Sequence, residues 1–237
     1  METINVLGVT LRSYSLKEAM VHTDSFLRNG ALNTIVNLSA DILVEAGKDE
    51  SYRQFLKAAD MTVLDDRETR IALGLSLKEH GRETESGIYF KEFIRRNVRE
   101  HNSVYLLTET AEQLQWLRQE IAAVSPKVLF AGTHVYTVEE KMENLMNDLN
   151  EAAPRVILSV LPFPVQSQLM REGRRYLNAA VWFAFRPEEI LKKSRDTLTN
   201  RLRTRHSRRM LARQLLQYEK TRACEKMRNH FLHALLD

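Results

Sequence analysis

Two carboxylates stand where a buried strand ends. The apolar run Met61-Thr62-Val63-Leu64 stops at Asp65-Asp66, and a strand that ends in an acid delivers it to the rim of a sheet. In open α/β folds that rim, at the carboxyl ends of the strands, is where ligands bind. A carboxylate held there can act as a general base, taking a proton from an attacking hydroxyl. It does so best when partial burial or a second acid raises its pKa. Adjacent acids point in different directions, so one of the two faces the pocket. Asp65, which directly follows the apolar run, is the candidate. The pair also suits the cap of a helix starting near Glu68, because Asp is among the best capping residues.

Two further strand tips carry polar side chains. Thr34-Ile35-Val36 ends in Asn37 and leads into the helical pattern Ser39-Ala40-Asp41-Ile42-Leu43. The run ending at Leu161 meets Pro162-Phe163-Pro164-Val165-Gln166, where a helix begins. Proline suits a first helical turn. Gln166 then falls among free backbone N–H groups at the positive end of the helix dipole, a place for a phosphate or a nucleotide base. A helix start without a ligand is the plainer reading. Side chains 37, 65 and 166 are expected to share one cleft.

The elements that must position these tips are legible as alternation. Strand-like runs fall at Ile4–Leu11, Thr34–Asn37, Met61–Leu64, Val104–Leu107, Val128–Ala131, Val156–Leu161 and Ala180–Phe185. Between them apolar residues recur near the 3.6 period, as in Leu16-Ala19-Met20-Leu27, Phe90-Phe93-Ile94-Val98, Leu114-Leu117-Ile121 and Met142-Leu145-Met146-Leu149. Strands alternating with helices imply βα units and a mainly parallel sheet. Consecutive apolar positions such as Val156-Ile157-Leu158 fit strands covered on both faces. The expected fold is therefore α/β: a mainly parallel, doubly wound, Rossmann-like sheet with helices on both faces. After Pro187 strand signals cease, and apolar residues at Met210-Leu211, Leu215, Tyr218, Met227 and Phe231 suggest one long helix or two shorter ones. The expected division is residues 1–187 as the α/β domain and 188–237 as a basic helical C-terminal appendage.

Composition narrows the chemistry. With eight glycines in 237 residues, below the ~7% of average usage, the chain has neither a G-x-G-x-x-G nor a Walker loop. Any nucleotide must be held without a glycine-rich cradle. The seven histidines do not cluster at ligand spacings, and Cys224 stands alone, so neither a metal site nor a catalytic thiol is expected. His134 is read as a hydrogen-bonded histidine in the turn after Val128–Ala131. No run approaches the ~18 apolar residues of a membrane span, and the polar start Met1–Asn5 has no secretory pattern. A cytoplasmic location is expected. Residues 191–237 hold thirteen Lys or Arg against four Asp or Glu, whereas the rest holds 22 against 27. A mildly acidic body carrying a basic tail points to an anionic partner. Arg201, Arg203, Arg205, Arg208, Arg209 and Arg213 are its densest cluster, suited to phosphates or to an anionic leaflet. No nucleic-acid reader motif stands out, so no nucleic-acid partner is expected.

The order of Asn37, Ala59-Asp60 through Asp65, Gly132 and Pro164-x-Gln166 resembles that of the WecG/TagA/CpsF glycosyltransferase family. So do the opening Val6-Leu7-Gly8-Val9, the segment Asn37 to Glu50, Ser86-Gly87-Ile88 and the stretch Gly132 to Glu140. The resemblance runs from about residue 4 to about residue 185. It implies transfer of a sugar from a UDP-sugar to a membrane lipid-linked acceptor in cell-surface polysaccharide or teichoic acid-type synthesis. It also implies inversion, no metal, and no cofactor beyond the UDP-sugar donor. Asp65 takes the part of the base, and Asn37, Thr34, Asp66, Gln166 and Gly132 are candidate substrate contacts. Arg201, Arg205, Arg208 and Arg209 are candidates for the diphosphate or the inner membrane face. A homo-oligomer is one assembly this reading allows. The chain also departs from the family. Asp66 replaces a glycine, Pro164-Val165-Gln166-Ser167 replaces Pro-Lys-Gln-Glu, and Phe183-Ala184-Phe185 stands where the family has glycines. Each lost glycine puts a Cβ into ligand space, so a catalytically degenerate relative acting as a binding or scaffold protein is the alternative.

Overall fold

The computed structural model describes residues 2–64, 67–75, 87–185, 206 and 209–221. Six strands form one parallel sheet: β3 (Asn33–Asn37), β4 (Met61–Val63), β5 (Ser103–Thr108), β6 (Leu129–Val135), β7 (Val156–Val160) and β8 (Val181–Phe185). Their spatial order is β4-β3-β8-β7-β5-β6, with every pair parallel. Consecutive apolar residues in these strands divide between two faces because side chains alternate with period two. Val104 and Leu106 of β5 join a core with α1 (Leu16–Phe26), α5 (Ile88–Arg99) and α6 (Ala111–Val124). Tyr105 and Leu107 join the opposite core with α2 (Ala40–Lys48), α7 (Met142–Ala152) and α8 (Phe163–Tyr176). The expected doubly covered α/β sheet is thus present.

The first expected strand differs. Ile4–Leu11 is not one strand but an antiparallel hairpin, β1 (Glu2–Val6) and β2 (Val9–Ser13), outside the main sheet. Its turn, Leu7-Gly8, has φ of +52° and +84°, and Asn5 Oδ1 accepts from the Gly8 N–H at 3.2 Å. Two central residues with positive φ make the tight turn whose twist matches paired strands. A continuous apolar run hides such a turn because Leu7 is itself buried.

Strand β6 also runs further than expected. It continues past Ala131 to Val135, so Gly132 and His134 lie in the strand rather than in a turn. A register shift at Val104/Tyr105 leaves Ala131 without an opposite residue. That bulge lets the β-branched Thr133 and Val135 keep pairing with β5.

In the tail, residues 209–221 are helical. Leu211 is fully buried in the core that holds α2 and the hairpin, with Met210, Leu215 and Tyr218 packed against it. A Cβ on Gly47 of α2 would stand 2.7 Å from Leu7 Cδ1 and 3.0 Å from Gln214 Oε1. The segment therefore seats closely on its own α/β domain. The expected boundary at Pro187 and the positions Met227 and Phe231 lie outside the described residues. Among the described residues, no helix is long and apolar enough to cross a membrane.

Candidate active site at the strand tips

Local chemistry sets each tip. Asn37 closes β3 opposite Val63, and Leu38 N–H donates to Val63 O at 2.8 Å. The chain then turns directly into α2, where Ser39 Oγ accepts from Ile42 N–H and Thr69 Oγ1 accepts from Ala40 N–H at 3.0 Å. These bonds satisfy N–H groups that a helix start leaves free. Beside β3, strand β4 ends at Val63. Leu64 is buried, and Asp65 and Asp66 follow outside the described residues. Helix α4 (Arg67–Ala72) comes next.

The β7 tip is set by prolines. Pro162 is the N-cap of α8, Phe163 and Pro164 occupy the first turn, and Gln166 N–H donates to Pro162 O at 2.9 Å. This turn aims the Gln166 side chain back over the sheet, where it is buried. Its carboxamide meets Ser159 Oγ of β7, with Nε2 at 2.8 Å and Oε1 at 3.0 Å. The Trp182 indole N–H of β8 donates to the same oxygen at 2.6 Å.

Asn37 and Gln166 line one pocket. Only β8 separates β3 from β7, so the two tips converge although 129 residues separate them in the chain. Ala184 and Phe185 of β8 form part of the pocket wall. Tyr52 and Phe55 of α3 (Glu50–Ala58) and Phe163 crowd it: the Tyr52 and Phe163 rings stack with centroids 3.3 Å apart, and Phe55 meets Phe163 edge-on at 5.3 Å. The cavity left is about 20 Å³, roughly enough for one water molecule.

A profile of the Glycosyl transferase WecG/TagA/CpsF family matches residues 4–185. The chain belongs to this glycosyltransferase family. Comparison with curated proteins gave no match. Within the family frame, the remaining candidate residues fall in different places.

Thr34 sits at the amino end of β3, away from the tip. Its N–H and Oγ1 lie 2.6 and 2.8 Å from Asp60 Oδ2, and Arg174 of α8 reaches both Asp60 Oδ2 (2.5 Å) and Thr34 Oγ1 (2.6 Å). The Ala59-Asp60 pair thus serves as a latch between β3, β4 and α8. Gly132 lies on β6, beside the Tyr105 ring. A Cβ there would stand 2.5 Å from Tyr105 Cε2 and 2.9 Å from Cδ2. Gly132→Ala is expected to cost about 1–3 kcal/mol through overpacking, read as a lower urea midpoint. An unchanged midpoint would show that the ring yields freely. Arg209 is exposed on the docked tail helix, while Arg201, Arg205 and Arg208 lie outside the described residues.

One group with metal-ligand chemistry occurs among the described residues, at the β6 edge. His134 Nε2 is 2.7 Å from Glu140 Oε2, and its Nδ1 is 3.8 Å from Asp148 Oδ2. The imidazole bridges β6, the following loop and α7, so His134 is indeed hydrogen-bonded. Burial, and then the Asp148 and Glu140 carboxylates, hold the nearby Tyr105 phenol above its ordinary pKa, so it stays neutral around pH 7.

Ser159, Trp182, Tyr52, Phe55 and Phe163 escape a reading of strand tips. Ser159 alone left a trace, as the single polar residue inside the apolar run Val156–Leu161. A buried hydroxyl needs a partner, and so does a buried indole N–H.

Proposed function

We propose that the protein transfers a sugar from a UDP-sugar to a lipid-linked acceptor in cell-surface polysaccharide synthesis, with inversion and with Asp65 as general base. The observation that carries this reading is the convergence of Asn37 and Gln166 on one pocket at the carboxyl ends of β3 and β7. The neighbouring strand β4 leads to Asp65. In the reaction the acceptor hydroxyl gives its proton to Asp65 as its oxygen attacks the anomeric carbon. UDP leaves from the opposite face, which inverts the configuration. The carboxamides of Asn37 and Gln166 supply donors and acceptors for sugar hydroxyls or phosphate oxygens. Asp66, which follows the base in sequence, is proposed to join this set, whereas Thr34 supports it only architecturally, through its latch.

The arginines take the charge of the leaving diphosphate in place of a metal, as guanidinium groups bind phosphate oxygens in pairs. Arg209 on the docked helix, with Arg201, Arg205 and Arg208 before it, supplies that charge or meets an anionic membrane at its cytoplasmic face. The test is calorimetric titration with UDP, UDP-GlcNAc and UDP-ManNAc. Saturable binding of at least one UDP-sugar, competed by UDP, is the expected result. Absence of binding by all three would overturn the reading.

One observation favours a second reading. Ala184 and Phe185 occupy positions where the family has glycines, and with Tyr52, Phe55 and Phe163 they leave room for about one water. On that basis the chain is a family member that binds or scaffolds other components without transferring sugar. UDP-sugar binding separates the two readings, because the scaffold does not require it.

A further inference from the structure

We infer that Ser159 and Trp182 are positioning residues that orient the Gln166 carboxamide, so that one of its N–H bonds faces the strand-tip pocket and takes an oxygen acceptor of the ligand. The inference rests on the nucleotide-sugar reading of the same pocket. All three side chains are buried, Ser159 and Trp182 at 0% and Gln166 at 3% exposure, so their polar atoms must satisfy one another.

An indole N–H only donates. At 2.6 Å the Trp182 N–H fills one lone pair of Ser159 Oγ. The hydroxyl proton of Ser159 then needs an acceptor, and Gln166 Oε1 at 3.0 Å supplies it. Donation into the hydroxyl strengthens its onward bond, since chained hydrogen bonds polarise one another. The carboxamide is thereby held with both Oε1 and Nε2 against Ser159 Oγ. Of the two hydrogens on Nε2, one can reach Ser159 Oγ at 2.8 Å, and the other is left for the pocket that Gln166 lines beside Asn37.

The relay has little room to rotate. Trp182 packs on Gly173 of α8, where a Cβ would stand 2.7 Å from Trp182 Cζ3. Gly173 thus lets the indole lie close to the helix that carries Gln166, and the relay ties β7, β8 and α8 together under the pocket. The chemistry offered to a ligand is an N–H donor, which suits a phosphoryl oxygen or a base carbonyl oxygen alike.

The test is a double-mutant cycle on UDP affinity, measured by calorimetry with Ser159→Ala, Gln166→Ala and the pair. Each variant is titrated at a temperature where circular dichroism shows it fully folded. Ser159→Ala is expected to weaken UDP binding about tenfold in the wild-type background, and by less than about twofold once Gln166 is Ala. Parallel titrations with uridine and with pyrophosphate identify the acceptor. Weakening confined to pyrophosphate and UDP assigns a phosphoryl oxygen, and weakening of uridine and UDP assigns the base carbonyl. Unchanged UDP affinity in Ser159→Ala, or an equal loss in both backgrounds, would overturn the relay while leaving the nucleotide-sugar reading intact. If the wild-type protein binds no UDP at all, that reading and this one fall together.

Discussion

Asp65→Asn is expected to lower sugar transfer by about 10²–10⁴-fold, the range that general base catalysis usually contributes. The carboxamide keeps the shape of the side chain but cannot accept the proton of an attacking hydroxyl. The apolar residues that lead to Asp65 are buried: Met61 and Val63 in β4, then Leu64. Strand β4 is in turn paired with β3 through Ile35, Val36 and Asn37. The substitution therefore leaves the sheet in place, and the affinity for UDP is expected to change by less than about threefold on the same grounds, as the proton is moved only during the chemical step. UDP release in single-turnover mixtures with a lipid-linked acceptor measures the rate, and calorimetry measures the affinity. Wild-type turnover in Asp65→Asn would rule out Asp65 as the base. Loss of UDP affinity equal to the loss of rate would move Asp65 from proton transfer to substrate binding.

Asp60→Ala is expected to destabilise the fold by about 3 kcal/mol, because it strips partners from several groups at once. Asp60 Oδ2 accepts from the Thr34 N–H, the Thr34 hydroxyl and the Arg174 guanidinium. Removing the carboxylate leaves a backbone N–H of β3 without its partner in a buried position, and removes the charge opposite Arg174. Arg174 is 38% exposed, so water recovers part of its loss and the Thr34 N–H accounts for most of the cost. For a chain of this size the melting temperature should fall by roughly 6–12 °C. Asp60→Asn keeps one acceptor oxygen and should fall less. The latch lies at the amino ends of the strands, so UDP affinity at low temperature should match the wild type. A melting temperature within a degree of wild type would show that the latch contributes nothing.

The two substitutions probe opposite ends of one sheet, and the distinction follows from direction along the strands. Thr34 and Asn37 belong to the same five-residue strand. Reading β3 as a single polar-tipped element places both as substrate contacts, but at ~3.3 Å per residue they are about 10 Å apart. Thr34 therefore bonds Asp60 at the amino end of the strand, whereas Asn37 lines the pocket at its carboxyl end. Gly132 divides in the same way. Its missing side chain makes room for Tyr105 across the β5–β6 pair, so packing with Tyr105 accounts for a glycine there without a ligand.

Much of the architecture is written locally. Runs such as Val156-Ile157-Leu158 and Val181-Trp182-Phe183 state that both faces of a strand are covered, because alternate side chains point to opposite sides. The capping residues Ser15, Ser39 and Thr110 open helices by accepting from backbone N–H groups three residues on, an interaction complete within a few residues. Parallel α/β organisation, the helical character of the tail around Leu211 and the order of motifs that mark the family all follow from such short-range signals. The hairpin at Leu7-Gly8 does not, since its turn is built from one buried apolar residue and one glycine rather than from a polar pair.

The order of residues suggests that tips 37 and 166 meet, but it does not decide the matter. That depends on the strand sequence β3-β8-β7 across the sheet, which is set by how two apolar layers pack and not by any local pattern. Packing also brought Tyr52 and Phe55, more than a hundred residues from Phe163, onto the mouth of the pocket, and placed the Trp182 indole against Ser159 beneath Gln166. Periodicity along the chain determines what each segment becomes. Only the tertiary arrangement of those segments determines which side chains share a space, because contact across a sheet depends on distance in three dimensions and carries no signature in one.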